Sequence, residues 1–184
     1  MPFIHLPIQS GNDEILKKMG RRYTGEQYRA LVNKMKERIP HLALSTDIIV
    51  GFPNETYEQF CDTLQLAEFA RYENAYTFIY SPRVGTPAAK IEDHTSMEDK
   101  HKWFDELKAL VEKIAEEKAK EYVGKTVDVL VNGVSKKDSS ILAGYTETNK
   151  LVHFKGDQSL EGQIVKVKIL EEHCYNLQGE LVNE

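Results

Sequence analysis

Cysteine is nearly missing from this chain: only Cys61 and Cys174 occur, far apart in the sequence. Two such thiols make no disulfide framework and fit a reducing, cytoplasmic setting. Long apolar runs are missing too. Nothing approaches the roughly 20 consecutive apolar residues of a membrane helix. The first residues show no charged stretch leading into an apolar run, so they do not read as a signal peptide. A basic excess is also absent, because the net charge is −5. Residues 122–184 hold 7 Lys and no Arg against 9 Asp and Glu, while residues 1–121 hold 17 basic against 20 acidic residues. Neither part is basic overall, so a nucleic-acid surface has to be a local cluster. There is no P-loop, no G-x-S-x-G and no H-E-x-x-H. What the chain does have is 184 residues that are 41% hydrophobic. That is enough for a packed core in one domain or two small ones.

The two parts differ in period. Residues 1–121 alternate strand-like and helix-like runs. Phe3 to Ile8 reads as a strand and Gln9-Ser10-Gly11 as the turn after it. Asn12 to Lys18 is a short amphipathic piece. Thr24 and Gln27 form a capping box, with Tyr28, Leu31, Val32, Met35 and Ile39 at helical spacing behind it and Pro40 as the stop. "LALSTDIIVGF" is a buried strand. Thr56 and Gln59 cap a second helix, whose spacing puts Tyr57, Phe60, Cys61, Leu64 and Ala67 on its inner face. "NAYTFIYSP" is a third strand. A loop punctuated by Pro82, Gly85 and Pro87 follows, then a long charged helix from Ser96 with Trp103, Leu107, Leu110 and Ile114 as its stripe. This alternation predicts βαβ units and a parallel α/β sheet. After Gly124, five short alternating runs separated by Gly, Asn, Asp and Ser predict a small antiparallel all-β barrel. The domain boundary falls at the end of the long helix, between residues 121 and 122.

Several residues invite a functional reading beside a structural one. Gln9, Ser10 and Gly11 offer an amide, a hydroxyl and a backbone free of Cβ, or they are a plain turn before the helix at Asn12. Gly51, Phe52 and Pro53 allow close approach to the backbone and an aromatic face, or they break strand from helix. Tyr80 and Arg83 bracket the third strand's end, where Arg83 can pair with an anion or be solvated. In the β-rich part Lys136, Lys137, Tyr145, Lys150, His153, Phe154 and Lys155 interleave aromatics with cations, which suits RNA. An ordinary barrel with Phe154 inside and solvated lysines gives the same pattern. Glu98-x-x-His101 and Glu171-Glu172-His173-Cys174 stand alone and lack the partners of a metal site.

"HLPIQSG", "RRYT", "STDIIVGFPNET" and "AYTFIYSPRVGTPAAK", in this order and at these intervals, resemble the radical S-adenosylmethionine (SAM) methylthiotransferases. "LAGYTETNKLVHFKG", "GQIVKVKI" and "NLQGELV" resemble the TRAM domain of the same family. The likeness covers nearly the whole chain. "TFIYSPRVGTPAAK" and "TNKLVHFKG" favour the MiaB-type branch, which methylthiolates isopentenyladenosine next to the anticodon of tRNA. The branch acting on threonylcarbamoyl-adenosine stays open, as does a stand-alone RNA-binding module. The branch that modifies a ribosomal-protein aspartate fits less well.

The resemblance implies a fold: the C-terminal half of a radical SAM barrel over residues 1–121 and an OB-like TRAM barrel over 122–184. It implies SAM contacts at Gln9, Ser10, Gly11, Gly51, Phe52, Pro53, Tyr80 and Arg83. It implies tRNA contacts, through the anticodon stem-loop, at the lysine and aromatic cluster. The match to the wider motif G-x-I-x-G-x-x-E is incomplete, with Asp47 for the first Gly and Asn54 for the Glu. The family also uses two [4Fe–4S] clusters, and two isolated cysteines cannot ligate one. These residues are therefore expected to be a fragment without catalytic activity of its own. The opening strand is expected to leave a bare edge over residues 2–8 that invites dimerisation or aggregation.

Overall fold

A computed structural model of the chain describes residues 1–135, 138 and 140–182. The chain forms two compact units. One comprises Ile4–Pro40 and Leu44–Glu112; the other comprises Lys113–Glu184 with the short segments Met1–Phe3 and His41–Ala43.

The α/β unit is built on a three-stranded sheet of order β1 (Phe3–His5), β2 (Ala43–Val50), β3 (Asn74–Ile79). β2 and β3 are parallel and in register from Ser45 opposite Asn74 to Val50 opposite Ile79. The chain after β1 keeps the same direction: the Gln9 N–H donates to the Asp47 carbonyl and the Ile49 N–H to the Gln9 carbonyl, both at 2.9 Å. Three parallel strands thus end together at Gln9, Gly51 and Tyr80.

The helices begin where the caps predict. Asn12 caps α1 (Asp13–Lys18) by accepting the Glu14 and Ile15 N–H groups. Thr24 with Gln27, and Thr56 with Gln59, form complete capping boxes on α2 (Gly25–Arg38) and α3 (Tyr57–Ala70). Two buried tyrosine hydroxyls are paired off within the core. The Tyr72 hydroxyl donates to that of Tyr28 at 3.0 Å, and Tyr28 donates to the Leu6 carbonyl at 2.7 Å.

The buried face of α3 is Phe60, Thr63, Leu66, Ala67 and Ala70. It is rotated from the predicted stripe, and Tyr57 is exposed, with its hydroxyl donating to the Glu106 carboxylate at 3.2 Å. Thr63 draws the face round, since its hydroxyl accepts the Gly11 N–H at 2.9 Å. The long helix α4 is Met97–Lys120, and its Trp103 stacks on Phe60 at 5.7 Å.

The β unit is a closed five-stranded barrel of β4 (Thr126–Val134), β5 (Ile141–Thr146), β6 (Leu151–Lys155), β7 (Ile164–His173) and β8 (Asn176–Leu181). Its strand order is β4-β5-β6-β8-β7. All five predicted strands are present, but the barrel is not wholly antiparallel: β6 and β8 are parallel. The reason is arithmetic, because an odd number of strands cannot alternate in direction around a closed ring. Inward residues follow the pleat: Val129, Val131, Leu142, Val152, Phe154, Val167, Ile169 and Leu177 fill the interior with Ala119. Gly179 lets strands close up, since a Cβ there would lie 2.5 Å from the Lys168 carbonyl oxygen.

Candidate functional site

The common end of the three parallel strands is the first candidate site. Gln9 takes φ 68° and is 8% exposed, held by the two backbone bonds to β2. Ser10 is fully buried, and its hydroxyl accepts the Asn12 N–H at 3.2 Å. A Cβ on Gly11 would run into the Asp62 backbone of α3. Ser10 and Gly11 are therefore packed into α3, and their polar groups are engaged there rather than turned to a ligand.

Gly51 follows β2 with φ 72°. The space over its Cα is filled by the Lys100 side chain, 2.6 Å from where a Cβ would stand. The Glu55 carboxylate accepts the Gly51 N–H at 2.6 Å and the Phe52 N–H at 3.2 Å. The expected open approach to the Gly51 backbone is thus corrected: a buried lysine and a buried carboxylate already occupy it. Phe52 is 3% exposed, and its ring meets that of Tyr80 edge-on at 5.2 Å, so it is not an open stacking face. Pro53 is buried beside it.

Glu55 itself is 3% exposed. Burial pushes its carboxyl up to about 7, against the lowering effect of the two N–H donors and of Lys100. Lys100 is buried and pairs with Asp93. Asp93 also accepts the Asn54 and Thr95 N–H groups, at 3.2 and 3.1 Å. Burial would raise Asp93, but Lys100 and these donors outweigh it and hold the carboxyl below its usual value. The Lys100 ammonium lies 6.0 Å from the Tyr80 ring centre. The Tyr80 hydroxyl is buried and has no hydrogen-bond partner among the described residues. Arg83 is exposed, and its carbonyl accepts the Thr86 N–H and hydroxyl in a turn.

Sequence reasoning missed Glu55, Asp93 and Lys100. Glu55 had a signal: it stands one residue after the position where the motif expects a glutamate. Asp93 and Lys100 had none, since nothing in their local sequence places them beside Gly51. The sheet also carries a half-open face. Tyr76 and Phe78 are 50% and 52% exposed, and His5 lies 3.5 Å from Asp47 and edge-on to Tyr76.

The barrel holds the second candidate site. Phe154 is 1% exposed in the barrel core and cannot stack on a base. Lys150 is 5% exposed and donates to the Cys174 carbonyl at 3.1 Å, which removes it from phosphate binding. Tyr145 stands on the outer face, and His153 and Lys155 line a groove of about 720 Å³. Lys136 and Lys137 lie outside the described residues. The His101 Nδ1–H donates to the Met97 carbonyl at 2.6 Å rather than joining a metal site. Among the described residues no three His, Cys, Asp or Glu side chains are grouped to hold a metal.

Comparison with known proteins attaches names to both units. Residues 1–67 match the radical SAM superfamily and residues 120–182 match the TRAM domain. The chain is 58% identical over 181 residues to a tRNA-2-methylthio-N(6)-dimethylallyladenosine synthase of Geobacillus thermodenitrificans. It is 55% identical to the enzyme of that name from Bacillus subtilis. These alignments cover 98% of this chain but 35% and 36% of the relatives, so the chain spans about a third of their length. In fold it is similar to coproporphyrinogen III oxidase from Escherichia coli, a radical SAM enzyme, with a TM-score of 0.52 and 16% identity over 80% of this chain and 41% of that one.

Proposed function

We propose that this chain, which carries a radical SAM segment and a TRAM domain, is part of an enzyme that methylthiolates dimethylallyladenosine in tRNA. The observation that carries the reading is the 55–58% identity, over 98% of the chain, to relatives named for that reaction. The geometry supports a division of labour. The strand ends at Gln9, Gly51 and Tyr80 supply part of a SAM pocket, and the barrel supplies RNA recognition. The barrel's order, first-second-third-fifth-fourth, supports the OB-like reading.

Bound SAM supplies the methyl group and the precursor of the reactive radical. The residues of this chain position it. Gln9, Tyr80 and Arg83 are the side chains we assign to it, with the Tyr80 hydroxyl, which has no partner among the described residues, as the donor. Gly51, Phe52 and Pro53 form the floor beneath, made rigid by Glu55 and Lys100. Iron–sulfur clusters do not fit the residues present. Cys61 sits on α3 of one unit and Cys174 in the β7–β8 turn of the other, each partly buried and without companion ligands among the described residues. Catalysis therefore requires ligands from outside these residues.

Binding of a labelled anticodon stem-loop, followed by fluorescence anisotropy over a salt series, tests the reading. The expected result is micromolar affinity that falls steeply with salt. No binding even at low salt would remove RNA recognition from this chain.

A further inference from the structure

The barrel groove lies along the parallel seam between β6 and β8. The register there sets His153 beside Gln178 and Leu151 beside Asn176. On the far side His153 is opposite Ala143, and Lys155 is opposite Ile141. Two strands distant in sequence, β6 and β8, thus put a row of polar side chains across one outer face, with Ala143 and Ile141 of β5 along its edge. The β7 bulge adds a wall: register slips between Ile169 and Glu171, and the extra residue, Leu170, is 46% exposed at the groove. Ile141 and Leu181 continue the apolar lining, while Lys155 and Glu180 stand as the two charges.

We propose that this groove is a subsite for one unpaired ribonucleotide, a proposal that rests on the RNA-binding reading above. Its volume of about 720 Å³ falls within the range of small-ligand pockets. The aliphatic side chain of Leu170 takes the face of a base. The Gln178 amide and the His153 ring read its polar edge, and Lys155 meets the phosphate. Glu180 accepts from ribose hydroxyls and repels a second phosphate, so the site suits a splayed nucleotide rather than a duplex. The barrel is closed, so a peptide strand has no free edge to join, and recognition has to run through side chains.

The test is anisotropy with the labelled stem-loop and, separately, with a fully paired RNA duplex. Gln178→Ala, on an exposed position, and His153→Ala are each expected to weaken stem-loop binding about fivefold and to leave duplex binding unchanged. Lys166→Ala is the control, since Lys166 pairs with Asp128 outside the groove at 3.0 Å. Circular dichroism confirms that each variant is folded. If the wild type binds the stem-loop and both groove variants bind it as tightly, the subsite is wrong and RNA recognition stands. Equal weakening on the duplex also overturns it. A wild type that binds neither RNA overturns both readings.

Discussion

Glu55 holds Gly51 through a 2.6 Å hydrogen bond from the glycine N–H, and the same carboxylate oxygen takes the Phe52 N–H. One buried acid therefore fixes the turn that ends the central strand. With its carboxyl raised to about 7, the folded state binds a proton that the unfolded state has released between about pH 4.5 and that value. Stability from this group is full below the unfolded pKa and is lost as pH rises through the folded one. Relative to Glu55→Gln, which cannot titrate, the wild type should gain on the order of 3 kcal/mol between about pH 8 and about pH 5. Urea unfolding of both proteins across that window checks it. Parallel pH profiles would sink the assignment.

Tyr80→Phe separates a ligand contact from a structural role. The buried hydroxyl has no partner among the described residues, so its removal should leave stability equal or raise it by up to about 1 kcal/mol. SAM affinity, measured by calorimetry, should fall about fivefold. Unchanged affinity would return Tyr80 to the status of a packing residue.

Gly11→Ala should destabilise the α/β unit by about 2 kcal/mol or more, because the added methyl meets the backbone of α3 rather than a movable side chain. Thermal unfolding reads the effect directly. A change within the noise would mean that α3 can retreat from the turn.

Phe154→Ala and Tyr145→Ala should behave oppositely. Phe154 fills the barrel, so its truncation should cost about 3–5 kcal/mol. Tyr145 stands outside at 38% exposure, and its loss should cost about 1 kcal/mol or less. The tyrosine variant should weaken RNA binding about fivefold, since base stacking on an aromatic contributes roughly 1–3 kcal/mol. Denaturant titration and anisotropy together distinguish the two.

The sequence by itself determined the elements. Capping boxes at Thr24 and Thr56, the stop at Pro40 and the pleat of the β-rich part are local rules, satisfied within a few residues. It also carried the likeness from which a SAM site at the strand ends and RNA recognition in the barrel are proposed. Tertiary structure decided which side chains are available for that work. Burial took Phe154 into the core and tied Lys150 to the Cys174 carbonyl, although both looked like RNA contacts in sequence. Packing set Lys100 over Gly51 across a long stretch of chain, and ring closure of five strands forced the parallel seam that pairs His153 with Gln178. These are long-range outcomes of filling space and pairing strands, and no local pattern encodes them.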